Sequence, residues 1–124
     1  MSSRVRYGAG GGVQNSCMNK KKAQAIKSAV FNLHIEWRKH AHQRMMERRI
    51  SRGEVINVLL NGDCIMEYPE DTPHQSFLFL GWRDDKPLHV VLALNEIAAM
   101  VYIITAYEPD LLQFEADYKT RRKK

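Results

Sequence analysis

Apolar and polar residues change their period twice along this chain, which predicts a helical front half with a sheet behind it. Residues 19–30 (NKKKAQAIKSAV) are good helix formers with four lysines and predict a basic helix. The stretch F-N-L-H-I-E-W then alternates, with Phe31, Leu33, Ile35 and Trp37 on one side and Asn32, His34 and Glu36 on the other. It also fits a helical stripe through Ile26, Val30, Leu33 and Trp37, but the strict alternation favours a strand. Residues Lys39 to Arg49 (KHAHQRMMERR) return to helical composition, with Ala41, Met45 and Met46 turned inward. Ser51-x-x-Glu54 is a capping box that opens a second helix, whose apolar face is Val55, Val58 and Leu59. Asn61-Gly62 supplies a left-handed stop.

Strand-like runs follow at Cys64–Tyr68, Ser76–Trp82, Leu88–Leu94 and Met100–Tyr107. The polar loop PEDTPHQ, the turn Arg83-Asp84-Asp85-Lys86 and a short link through Asn95 separate them. Such short links favour antiparallel pairing, since parallel partners need a crossover of about a dozen residues. Pro109 ends the last run and opens a brief helix carrying Leu111, Leu112 and Phe114. The expected fold is α+β, a short antiparallel sheet packed on two helices. It occupies residues 31–118, after a disordered, glycine-rich segment (1–18) and a basic helix or arm (19–30) and before a basic tail (119–124).

Composition narrows the setting. At 124 residues and 44% apolar content the chain suits one domain with one core. No apolar run reaches the ~18–20 residues of a membrane span, and the N-terminus lacks the apolar core of a secretory signal. Cys17 and Cys64, without a C-x-x-C partner, argue for a reducing, cytoplasmic setting and against structural zinc. The net charge of +5 is unevenly spread. Residues 1–39 carry +7 and residues 119–124 carry +5, whereas 40–118 carry −7. A uniformly basic domain would point to nucleic acid; here the basic signal is confined to the flanks and to Arg44, Arg48, Arg49 and Arg52.

His40, Arg44 and Arg48 lie four residues apart and so share one helix face. An imidazole beside two guanidinium groups suits an anionic substrate, particularly a phosphodiester: the cations fork onto phosphate oxygens and the ring moves a proton. The plainer alternative is a solvated face with the arginines paired to Glu47 or Glu54. His89 falls inside the apolar run Pro-Leu-His-Val-Val, where a core histidine is the plainer reading. Tyr107 closes the last strand, as Tyr68 closes the first. Whether His89 and Tyr107 share a sheet face depends on register, because a slip of one residue reverses every side chain. No H-E-x-x-H pattern, phosphate-cradling glycine loop or nucleophile motif is present, so an enzyme here would work without metal or cofactor.

The motifs His-Ala-x-x-Arg-Met-x-x-Arg (40–48), Asn61-Gly62, Tyr68-Pro69, Leu80-Gly81-Trp82, Pro87-Leu88-His89-Val90-Val91 and Ile103-Ile104-Thr105-Ala106-Tyr107-Glu108-Pro109 resemble an uncharacterised family of small prokaryotic proteins, a domain of unknown function. More distantly that family is similar to RelE/MqsR/BrnT-type toxins. The resemblance covers about residues 35–122 and implies a RelE-like β-α-α-β-β-β order. It marks His40, Arg44, Arg48, His89 and Tyr107 as site residues. It implies a toxin-like, metal-independent endoribonuclease with RNA as substrate, an antitoxin-like protein as partner and no cofactor. Two departures stand out: Arg38 replaces a helix-capping Thr, and the basic extension at 1–30 is additional. The alternative is a non-catalytic protein-interaction module of the same fold, and a third reading is a nucleic-acid binder that uses only the basic arms. Convergence of His40, an arginine and either His89 or Tyr107 in one pocket would separate the first from the others.

Overall fold

The computed structural model describes residues 20–110 and 117–119. In chain order it holds α1 (Lys20–Phe31), β1 (Ile35–Trp37), α2 (Lys39–Glu47), α3 (Arg52–Asn61), β2 (Asp63–Tyr68), β3 (Gln75–Arg83), β4 (Lys86–Asn95) and β5 (Met100–Tyr107). The strands form a five-stranded sheet in the order β1-β5-β4-β3-β2. Ile26, Ala29 and Val30 of α1, Ala41 and Met45 of α2, and Val55, Val58 and Leu59 of α3 join one core with Phe77, Phe79, Leu88, Val90, Leu92, Leu94, Val101 and Ile103. All three helices therefore cover one face of the sheet. Lys22 Nζ donates to Gln75 Oε1, and Gln75 Nε2 donates to Glu67 Oε1 at 2.7 Å, which ties α1 to the sheet margin.

The alternation at 31–37 builds only half of the strand it predicts. Leu33 N–H donates to the Val30 carbonyl at 3.0 Å and His34 N–H to the Ala29 carbonyl at 2.8 Å, with Leu33 left-handed at φ 61°. This is a Schellman turn, and it ends α1 at the expense of the strand. Phe31 and Leu33 are consequently 79% and 69% exposed instead of facing a core. The remaining three residues pair parallel to β5, Ile35 with Val101 and Trp37 with Ile103, so the sheet is mixed and not wholly antiparallel. The whole intervening domain connects β1 to β5, and no hairpin constrains their direction. From β1 onward the order is β-α-α-β-β-β-β, one strand more than the family resemblance implied.

The capping box forms as its spacing requires: Ser51 Oγ accepts from Glu54 N–H at 3.1 Å, and Glu54 Oε1 accepts from Ser51 N–H at 2.8 Å. The stop after α3 differs from expectation. Gly62 is extended (φ −87°, ψ −173°), not left-handed, and it is needed for space. A Cβ there would stand 2.3 Å from the Leu80 carbonyl oxygen. Met46, expected inside, is 67% exposed, because Ala41 and Met45 fill the inward stripe of α2. Cys64 is disulfide-bonded, contrary to the expectation of two reduced thiols; Cys17 lies outside the described residues. So do the glycine-rich segment, the brief helix expected at Leu111–Phe114 and the tail from 120 onward. No helix among the described residues is long and apolar enough to cross a membrane.

Candidate active site

Strand β5 contains one extra residue. Val91 pairs with Thr105 and Leu92 with Ile103, so Ile104 has no partner and forms a β-bulge. Before the bulge Val101 and Ile103 point to the helices; after it Ala106 does. The bulge moves Tyr107 directly opposite His89. Both side chains then lie on the sheet face that the helices leave uncovered. Their rings meet edge to face with centroids 5.3 Å apart, and His89 Nδ1 is 3.3 Å from the Tyr107 hydroxyl. His89 has no exposed surface, while Tyr107 is half-buried.

A second turn of the same kind that ends α1 delivers the neighbouring cation. At the end of α2, Arg49 N–H donates to the Met46 carbonyl at 3.2 Å and Ile50 N–H to the Met45 carbonyl at 2.8 Å, with Arg49 at φ 57°. Ile50 and Met45, the two residues such a turn brings into apolar contact, are both buried in the core. Arg48 is the C-cap, and its Nη1 donates to the Ala106 carbonyl at 2.9 Å, beside Tyr107. Arg48 makes no ion pair with a carboxylate among the described residues.

Arg83, which the sequence reading passed over as a turn residue, clamps this corner. It donates to the Arg49 carbonyl at 2.8 Å, to Glu54 Oε1 at 3.2 Å and to Glu108 Oε2 at 2.6 Å. Its guanidinium is held above the ordinary arginine range, chiefly by Glu108. Glu54 is held below the ordinary carboxylate range, first by the Ser51 backbone N–H and with further help from Arg83, against the opposing effect of burial. One available signal was parity: Phe77, Phe79, Gly81 and Arg83 alternate along β3, so Arg83 had to point to the helix side. Arg48, Ile50, Arg83, Tyr107 and Glu108 line a cavity of about 460 Å³.

Of the residues singled out from sequence, the structure therefore brings together Arg48, His89 and Tyr107. It does not bring His40 or Arg44 to them, so the convergence expected of a nuclease centred on His40 is not met, and any such centre must work without that imidazole. His40 is exposed and makes no hydrogen bond or ion pair among the described residues. Arg44 is exposed and pairs with Glu47 at 3.7 Å. Eight helical residues separate His40 from Arg48, a rise of about 12 Å, which leaves the imidazole at the far end of α2. Among the described residues no three His, Cys, Asp or Glu side chains converge as a metal site would require.

The family model for the domain of unknown function DUF4258 matches residues 37–108. The chain belongs to the DUF4258 family. The DUF4258 span runs from the last residue of β1 to Glu108 and includes every cavity-lining residue together with His89. Helix α1 and the segment 117–119 lie outside it. No curated protein and no solved structure matches the chain.

Burial holds His89 below the ordinary imidazole value of 6.5, partly offset by its hydrogen bond to the Tyr118 carbonyl. The unfolded chain therefore binds a proton at this residue more readily than the folded one. The resulting stability is fully present above about pH 6.5 and is lost as the pH falls below it. Urea midpoints measured from about pH 7.5 down to about pH 5.5 should fall in the wild type, and the fall should flatten in His89→Gln. Equal slopes in the two proteins would remove His89 as the cause.

Proposed function

We propose that this domain is a metal-independent endoribonuclease of the toxin type, whose centre is Tyr107 backed by His89 and flanked by Arg48. One observation carries the reading: a half-buried phenol is held against a buried imidazole, beside an arginine with no carboxylate partner among the described residues, at the rim of a cavity. RNA contains its own nucleophile, so such a site has only to move protons and stabilise charge. The Tyr107 oxygen takes the proton of the 2′-hydroxyl while its own proton passes to His89 Nδ1. The 2′-oxygen bonds to phosphorus, the bond from phosphorus to the 5′-oxygen breaks, that oxygen takes a proton from water, and the hydroxide left takes the proton of Tyr107, which recovers its own from His89. A 2′,3′-cyclic phosphate and a 5′-hydroxyl result. Arg48 faces the charge that develops on the phosphorane oxygens.

In this reading His40 and Arg44 contact the RNA backbone further along α2 and transfer no proton. The basic flanks attract the polyanion, which makes binding strongly dependent on salt. The distant resemblance to RelE-type toxins that the sequence motifs imply supports this reading, although the order from β1 onward has one strand more than that resemblance implies. The test is incubation of the full chain with single-stranded RNA in EDTA. Fragments ending in cyclic phosphate should accumulate. Arg48→Ala should slow them by about 10²-fold, and His40→Ala by less than about 3-fold. A folded wild type that leaves RNA intact would overturn the proposal in favour of an interaction module.

A further inference from the structure

The face of the sheet that carries His89 is buried. Ser76, Leu78, Leu80, His89 and Ala93 are all less than 9% exposed, and the three helices pack on the opposite face. Tyr118, which lies outside the family span, reaches this face. The Tyr118 carbonyl lies 2.7 Å from His89 Nε2, and the Tyr118 ring stands edge-on to Trp82 with centroids 6.1 Å apart. Lys119 N–H donates to Asp117 Oδ1 at 2.9 Å around a left-handed Tyr118 (φ 59°), so the chain turns tightly at the contact.

A carbonyl oxygen only accepts, so Nε2 must carry the hydrogen. In a neutral imidazole the other nitrogen is then bare and can only accept, and the donor facing it is the Tyr107 hydroxyl. We propose that Tyr118 is a positioning residue, whose carbonyl locks His89 in the Nε2–H tautomer and so aims the lone pair of Nδ1 at Tyr107. The Trp82 ring holds Tyr118 in place, and through it the carbonyl. Of the groups around the imidazole, Tyr107 faces it from β5, while its cross-strand partner on β3, Leu80, does not titrate. With the opposite tautomer, Nδ1–H would face the phenol and could not take its proton. The catalytic use of the tautomer rests on the nuclease reading; the tautomer itself does not.

The experiment uses the full chain labelled with ¹⁵N on histidine. Long-range proton–nitrogen spectra of His89 are recorded across pH for wild type, Tyr118→Phe, Tyr118→Ala and Trp82→Ala, and circular dichroism establishes that each is folded. The wild type should show one tautomer, protonated at Nε2. Tyr118→Phe, which keeps the ring, should retain it. Tyr118→Ala and Trp82→Ala should show a mixture of tautomers. Where RNA is cleaved, these two variants should lose about tenfold in kcat with little change in KM. A wild-type Nδ1–H form, or an unchanged single tautomer in both folded alanine variants, would overturn the assignment. If the spectra behave as expected while RNA stays intact, the positioning contact stands and the nuclease reading falls.

Discussion

Gly62→Ala is expected to cost about 3 kcal/mol or more, a large part of the ~5–15 kcal/mol by which a domain of this size is stable. The cause is steric. Gly62 adopts an extended backbone that any residue tolerates, so no conformational freedom is at stake. Its N–H donates to the Val58 carbonyl at 2.7 Å, closing α3, and the chain enters β2 one residue later. A Cβ at 62 would lie 2.3 Å from the Leu80 oxygen and 2.6 Å from the Val58 oxygen. Both are main-chain atoms and cannot rotate away. Relief requires α3 to lift from β3, where Gly81 already brings the strand against Val58: a Cβ at 81 would meet Val58 Cγ2 at 2.8 Å. Gly53→Ala is the control. It sits in the first turn of α3, where a Cβ would meet only Ser51 Oγ at 3.9 Å, and should stabilise by up to about 1 kcal/mol. Urea unfolding of the three proteins decides the matter. A Gly62→Ala midpoint equal to that of wild type would show that the α3–β2 junction is looser than described.

Tyr107→Phe is expected to lower RNA cleavage by about 10²–10⁴-fold, the usual contribution of a proton-transfer group. The substitution removes one oxygen and leaves the ring in edge-to-face contact with His89, so folding should change by only about 1 kcal/mol. Separation of the two effects is what identifies catalysis. A structural tyrosine would lose stability and activity together, whereas a proton carrier loses turnover in a folded protein. The result should also differ from that of Arg48→Ala, which removes charge and a link to the Ala106 carbonyl but leaves the proton path in place. A Tyr107→Phe protein that cleaves RNA at the wild-type rate would remove the phenol from the mechanism.

Much of the frame was legible from local rules. Period, capping and turn residues placed α2, α3 and the last four strands to within a residue or two, because each depends on neighbours close in sequence. The failures came where two local signals competed. At 31–37 the alternation was genuine, but the helix-ending turn through Leu33 took the first half of it. Asn61-Gly62 was the right stop for the wrong reason, since the constraint on Gly62 comes from Leu80, far away in the chain. Arg83 was passed over because its three acceptors come from the α2–α3 link, α3 and the end of β5.

The sequence alone determined which residue types could do chemistry here, and where the helices and most strands would form. Only the tertiary structure decided which of those residues meet. The bulge at Ile104 inserts one residue into β5 and places Tyr107, in place of Ala106, opposite His89. The left-handed turn at Arg49 delivers Arg48 to the same corner, while His40, on the same helix face, remains in solvent. Spacing along a helix shows which side chains align, but not how far along that face the rest of the chain extends. That limit is set by pairing between distant strands, where a single unpaired residue reverses the sheet face that every later side chain occupies.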